Sequence, residues 1–302
     1  MQSNMTDLPT GVIVPVFTPL TESGNVDEAA FRRLMKRCLA AGVDSIFVGG
    51  SAGMGPMLTD AQWECAVATA VEEVGTKARL LVGIISTSTQ LAVERIGVSR
   101  RLGSRHIVVT PTFYISLSRD AELLSHFEAC RDATDQEMII YNIPSCIHSV
   151  ISPAVFRTAV ERGWTHAIKE SSGDRGYFSQ ILSIGKELGV SVLQGNEPDI
   201  AWGLRAGASG IVPVCANCEP ETFVRSYQAA KRGDFHAADV IQKRIDHVRD
   251  VLLIGDHNWI SGLSCGLAAL GIGQGRPLLP LQPVGAERKA LIYDLLAAGV
   301  PA

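Results

Sequence analysis

No apolar run in the chain approaches the roughly 18 residues that a membrane-crossing helix needs, so its hydrophobic residues belong to a folded core. Excess charge of one sign is equally scarce. Lys and Arg number 27 against 31 Asp and Glu, a formal net charge of -4, which provides no electrostatic footprint for nucleic acid or an anionic membrane. The opening residues, MQSNMTDLPT, have neither the basic start nor the apolar stretch of an export signal. Seven cysteines in 302 residues, without such a signal, are expected to be reduced thiols of a cytoplasmic protein. Metal-binding patterns are missing as well: there is no HExxH and no histidine pair with ligand spacing. Cys215-Ala216-Asn217-Cys218 is a CxxC without a second pair or a histidine cluster, which disfavours zinc or dithiol chemistry. These absences leave a globular protein whose partner is a small molecule, with no metal or cofactor expected.

What is present is an alternation. Eight short apolar runs, at 12–16, 45–48, 80–84, 107–109, 138–141, 165–168, 190–193 and 210–212, are each followed by a segment of helical periodicity. Each run is short enough to be a strand buried on both faces. The segment 27–41 illustrates the helical type: Asp27 can cap, Phe31, Leu34, Met35 and Leu39 share a face, and Gly42 can end it. Ser152-Pro153 likewise opens a helix, a cap followed by proline in the first turn. Eight βα units in series predict a TIM (β/α)8 barrel, with a doubly wound sheet as the competing arrangement. Residues 234–254, 258–270 and 287–298 read as further helices without an intervening strand. The expected organisation is a barrel over 1–232 and a C-terminal helical extension over 233–302.

In such a barrel the chemistry sits at the C-terminal ends of the strands. Lys169 follows the sixth run directly and is expected to point into the barrel mouth. Desolvation there would lower its pKa and supply the neutral amine that imine formation requires; a structural salt bridge to Glu170 or Asp174 is the competing reading. Tyr141 ends the fifth run, one strand away, where a phenol can shuttle protons or simply serve as a hydrogen-bonded aromatic. The loop 49–55, Gly-Gly-Ser-Ala-Gly-Met-Gly, can offer consecutive backbone amides to a carboxylate, and Ser51 adds a hydroxyl. Its spacing is neither a dinucleotide fingerprint nor a phosphate-binding loop. Taken by itself, the loop is better explained as a tight structural turn. His148 reads as a surface or capping residue near the site, and Trp202 and Trp259 as core or interface residues.

Gly50-Ser51-Ala52-Gly53, Thr110-Pro111, Tyr141-Asn142-Ile143-Pro144 and the string from Ile168 to Asp174, Ile-Lys-Glu-Ser-Ser-Gly-Asp, occur in the order and spacing of one superfamily. The chain resembles the dihydrodipicolinate synthase / N-acetylneuraminate lyase superfamily of pyruvate-dependent class I aldolases, from Gly11 to the C-terminal helices. The resemblance implies that Lys169 is the Schiff-base lysine, Tyr141 the proton-transfer phenol, and Ser51 the first hydroxyl of the carboxylate loop. It further implies that the Ser51 and Ala52 amides, next to Gly50, hold a pyruvate carboxylate, that the Val212 carbonyl lies near the lysine, and that Ser171 meets a substrate hydroxyl. A homotetramer, a dimer of dimers, is expected, with Tyr114 or Phe113 reaching a neighbouring site.

The chain also departs from that pattern. Ala52 and Met54 stand where the loop usually has a hydroxyl and an acid. Cys146 stands where dihydrodipicolinate synthases resemble one another in carrying an arginine for the aldehyde's carboxylate, and a thiol does not replace a guanidinium. Glu197-Pro198 retains one of the two acids that hold sugar hydroxyls in N-acetylneuraminate lyases. The string around Lys169 more resembles that of aldolases and dehydratases of 2-oxo-3-deoxy sugar acids. The expected function is therefore a Schiff-base lyase acting on pyruvate or such an acid. Dihydrodipicolinate synthase or N-acetylneuraminate lyase activity is one alternative, and a non-catalytic 2-oxo acid sensor or scaffold the other.

Overall fold

The computed structural model describes residues 8–299; positions 1–7 of the opening segment and 300–302 of the C-terminal one lie outside the described residues. Eight parallel strands, β1 (Gly11–Pro15), β2 (Ser45–Val48), β3 (Arg79–Ile84), β4 (His106–Val109), β5 (Glu137–Asn142), β6 (Ala167–Glu170), β7 (Ser191–Gln194) and β8 (Gly210–Ile211), close into a barrel in chain order. The doubly wound sheet is thereby excluded. Each strand overlaps one of the eight apolar runs. The largest offset is at β6, where Thr165 uses its hydroxyl on the carbonyls of Met138 (2.7 Å) and Ala167 (2.8 Å), and the strand begins two residues later.

The outer ring contains α1 (Glu28–Ala40), α2 (Asp60–Val74), α3 (Thr89–Arg101), α4 (Asp120–Asp132), the single turn α5 (Pro144–Ile147), α6 (Pro153–Glu161), α7 (Arg175–Leu188), α8 (Ile200–Ala206) and α9 (Pro220–Lys231). Their starts follow from local chemistry. Asp27 accepts from the Ala30 amide at 2.9 Å, Ser152 from Val155 at 3.1 Å and Asp174 from Tyr177 at 3.0 Å, each satisfying a free amide of a first turn. Beyond the barrel, α10 (Phe235–Leu253), α11 (Trp259–Ala269) and α12 (Ala286–Ala297) form the C-terminal helices, with Asp234 and Asn258 as caps of the first two. Among the described residues no helix is long and apolar enough to cross a membrane.

Strand alternation divides the apolar residues into two layers. Ile13, Phe47, Val108, Ile139, Ala167 and Leu193 fill the barrel interior, while their neighbours Val14, Ile46, Ile107, Ile140, Ile168 and Val192 face the helices. The seam beside the two-residue β8 is reinforced by Asn217. Its carbonyl accepts from the Phe17 amide at 2.9 Å, and its amide donates to the carbonyls of Pro15 (2.9 Å) and Val214 (2.8 Å).

Candidate active site

In β6, Ala167 and Lys169 alternate inward, while Ile168 and Glu170 alternate outward. The parallel register pairs Tyr141 of β5 with Lys169 and Asn142 with Glu170, so the phenol and the amine are side by side inside the barrel near its C-terminal rim. Lys169 Nζ lies 4.0 Å from the centre of the Tyr141 ring and 5.1 Å from that of Phe47. The two rings meet edge to face at 6.5 Å. This aromatic enclosure leaves Lys169 5% exposed. Burial lowers its pKa from 10.5 to about 7, with Cys146 and Glu197 pulling it back upward.

The salt-bridge reading of Lys169 is not realised. The Glu170 carboxylate points the other way and accepts from the Ser172 amide at 2.6 Å and from Asn142 Nδ2 at 3.1 Å. Asp174 is committed to capping α7. Among the described residues no carboxylate forms an ion pair with Lys169, so its charge carries the desolvation cost beside two aromatic faces.

Tyr141 is wholly buried, which raises its pKa; the hydroxyls of Ser171 and Ser51 oppose that rise, and the Cys146 and Glu170 charges add to it. The phenol therefore holds its proton at neutral pH. Ser171 Oγ is itself buried and has no hydrogen-bond partner of ordinary geometry. It rests against Gly195, where a Cβ would fall 2.0 Å from that oxygen, 2.9 Å from the Glu170 carbonyl and 3.1 Å from Lys169 Cε. Gly195→Ala is thus expected to lose roughly 1–3 kcal/mol of stability by overpacking and to slow chemistry at Lys169 by on the order of 10–100-fold through displacement of its side chain. Thermal unfolding and Lys169 labelling measure the two effects; wild-type behaviour in both contradicts this packing argument.

The loop after β2 folds back tightly. Met54 N donates to the Ser51 carbonyl and Gly55 N to the Gly50 carbonyl, both at 3.0 Å, and a Cβ at Gly55 would lie 1.9 Å from the Gly49 carbonyl oxygen. Met54 takes a left-handed backbone, φ +57°. From beneath, Arg95 Nη1 holds the carbonyls of Ile85 (3.2 Å) and Gly55 (3.4 Å). Among the described residues no acceptor is bonded to the amides of Ser51 or Ala52, although Ala52 is buried. A loop that leaves consecutive amides free beside a hydroxyl can receive a carboxylate.

Other expected residues are placed differently from one another. Val212 belongs to the barrel-interior layer with Tyr141. Glu197 is buried, but its carboxylate accepts from the Cys215 amide at 2.7 Å and lies 3.4 Å from the Cys215 thiol, so it tethers the segment after β8; burial raises its pKa. Burial also drives the pKa of Cys215 well above the usual thiol value, so that thiol stays protonated. Phe113 packs on the barrel interior, whereas Tyr114 is turned outward, 84% exposed with φ +78°. His148 is exposed and caps α5 with a left-handed backbone.

A feature the sequence did not reveal is a cavity of about 220 Å³ beside this site, walled by Met54, Ile85, Phe113, Ile147 and Trp259, with Ser51 and Cys146 also in its lining. Trp259, read from sequence as core or interface, comes from α11 and faces this cavity. No motif spacing signals it, because its walls come from five separate parts of the chain.

A closed (β/α)8 barrel with a desolvated amine and a protonated phenol at its C-terminal rim defines the class, a barrel lyase. The chain belongs to the dihydrodipicolinate synthetase family, whose model matches residues 8–298. It is 32% identical to the 4-hydroxy-tetrahydrodipicolinate synthase of Exiguobacterium sp. over 95% of this chain and 97% of that protein. It is 28% identical to an uncharacterized DapA-like lyase of Halobacterium salinarum, over 96% and 94% of the two chains. Among solved structures, the dihydrodipicolinate synthase of Aquifex aeolicus superposes with a TM-score of 0.90 at 27% identity, covering 96% of this chain and 98% of that one. The protein is accordingly an enzyme, a lyase of class I aldolase type, which sets aside the sensor or scaffold reading.

Proposed function

We propose that the protein forms an imine between Lys169 and the 2-oxo carbon of pyruvate, or of a 2-oxo acid containing the pyruvate unit, and makes or breaks a bond at the adjacent carbon. The observation that carries this reading is the amine itself: buried, held between two aromatic rings, without a carboxylate partner, and with a pKa lowered to about 7. At neutral pH about half of such an amine is unprotonated, against roughly one part in 2,500 for an ordinary lysine. Lys169 attacks the carbonyl carbon, water leaves, and the protonated imine draws electrons from C3. Tyr141, protonated and supported by Ser51 and Ser171, transfers the protons. The free amides of Ser51 and Ala52, reached over Gly50, take the carboxylate, and Val212 closes the barrel side of the site.

Reduction with borohydride after incubation with pyruvate tests this. The expected result is one pyruvate-derived mass increment, located on Lys169 and absent from Lys169→Ala; an unmodified wild-type chain overturns the reading. The initial trapping rate is expected to rise with pH around a midpoint near 7, because attack requires the neutral amine and the folded pKa is depressed. A rate still climbing between pH 9 and 10.5 would mean that Lys169 is not desolvated.

The names of the relatives support a second reading, 4-hydroxy-tetrahydrodipicolinate synthase activity, which shares the imine step. Cys146, in the place that resembles an arginine position, argues against it. Of a 2-oxo-3-deoxy sugar acid, the site supports the 2-oxo acid end, with Ser171 Oγ free to meet a hydroxyl. The exposed, left-handed Tyr114 supports the reading that this aromatic enters a neighbouring copy in a homotetramer. Sedimentation of wild type and Tyr114→Ala reads out that assembly.

A further inference from the structure

We infer that the carbonyl compound joined to, or released from, the pyruvate unit is an uncharged apolar aldehyde, of the size of a benzene ring with a short arm. The inference rests on the Lys169 imine and concerns what occupies the space beside it.

The lining of the cavity of about 220 Å³ includes Ser51, from the loop proposed to take the carboxylate, and Cys146. Ile85, Ile147 and Phe113 of its lining pack in the same barrel-interior cluster as Tyr141, the residue paired with Lys169 across β5 and β6. A bond formed at C3 of Lys169-bound pyruvate therefore projects its new substituent toward this space. Among the described residues its lining includes no Lys, Arg, His, Asp, Glu, Asn or Gln. Two thioethers, aliphatic chains and the rings of Phe113 and Trp259 make up the walls. An apolar cavity of about 150 Å³ accommodates benzene, so the volume here admits an aryl or branched alkyl group.

The same walls disfavour the other two substrate classes. A carboxylated aldehyde would bring a second anion among side chains that offer no cation, and Cys146 has only a weak S–H donor. A polyhydroxylated chain would bury several hydroxyls against Met54, Ile85 and Ile147 without partners. An apolar group avoids both costs, and thioether walls adapt to its outline.

The step balances without an oxidant or reductant. The enamine carbon, formed when the imine loses a C3 proton, attacks the aldehyde carbon and a C–C bond forms. The carbonyl π pair moves to oxygen, which takes a proton from the Tyr141 hydroxyl, and the phenolate is reprotonated by the water that accepted the C3 proton. Water then cleaves the imine, freeing Lys169 and a 4-hydroxy-2-oxo acid; cleavage is the same sequence reversed.

The test supplies the wild-type enzyme with pyruvate and, separately, benzaldehyde, succinic semialdehyde or glyceraldehyde, and follows the 4-hydroxy-2-oxo acid by mass and proton NMR. Borohydride trapping with pyruvate alone runs in parallel. The expected kcat/KM for benzaldehyde exceeds the other two by roughly 10–100-fold. Cys146→Arg is expected to move the ratio toward succinic semialdehyde by about tenfold or more. Trapping together with equal rates, a preference for either polar aldehyde, or no turnover of any aldehyde overturns the apolar assignment and leaves the imine standing. Absence of trapping overturns both.

Discussion

Lys169→Met is expected to abolish pyruvate trapping and lower turnover by on the order of 10⁴-fold or more, while making the fold more stable at neutral pH. The loss of activity follows from removing the nucleophile. The gain in stability follows from linkage. The folded-state pKa of Lys169, about 7, lies below its ordinary 10.5, so the unfolded chain binds the proton more tightly and folding is penalised wherever that proton is present. The penalty is complete below pH 7, shrinks as pH rises from 7 to 10.5, and vanishes above. At roughly 1.36 kcal/mol per pKa unit its limit is about 5 kcal/mol. Methionine has a similar reach, is apolar, and sits well against the Phe47 and Tyr141 rings. Denaturant unfolding of both proteins at pH 6.5 and pH 10 should show a gain of roughly 2–5 kcal/mol that mostly disappears at the higher pH. A gain independent of pH, or a loss at both values, is incompatible with a desolvated Lys169.

That opposition between stability and function also marks where the sequence was readable. The eight runs were visible because strands buried on both faces must be apolar, and the barrel followed from their serial alternation with helices. The edges were harder. Thr165 and His166 resemble strand and lie before it, whereas Lys169 and Glu170 resemble loop and lie within β6. Charged residues end a strand in the sequence pattern even when, as here, the fold buries both of them. Lys169 and Tyr141 could be named from their place in the order of elements and from the family they resemble. Their contact needed the register that pairs them across β5 and β6. Glu197 shows the reverse case: its match to one of the two acids that hold sugar hydroxyls suggested a substrate ligand, and only the fold reveals the Cys215 amide that occupies it. The apolar cavity was illegible because Met54, Phe113 and Trp259 are far apart in the chain and each, alone, is an unremarked hydrophobic residue.

Tyr141→Phe should separate proton transfer from packing. Phenylalanine keeps the ring that contacts Lys169 at 4.0 Å and meets Phe47 at 6.5 Å, so the enclosure that depresses the lysine pKa persists. Only the hydroxyl is lost, together with its approach to Ser171 and Ser51. Stability should therefore change by about 1 kcal/mol or less, the net value of one buried hydrogen-bonding group. Because burial raises the phenol's pKa, Tyr141 is protonated at neutral pH, and in the proposed reaction it acts as donor and relay, never as a standing phenolate. Removing it leaves the carbinolamine oxygen and the nascent alkoxide without a positioned proton. The expected cost is about 10²–10⁴-fold in kcat, with the midpoint of the trapping pH profile still near 7 and the KM for pyruvate little changed, since in the proposed site the carboxylate is held by the loop after β2. Tyr141→Leu removes the ring as well and should shift that midpoint, which distinguishes the two contributions. If Tyr141→Phe traps pyruvate and turns over at the wild-type rate, the proton is delivered elsewhere, and Ser171, whose buried oxygen has no hydrogen bond of ordinary geometry, becomes the group to replace next.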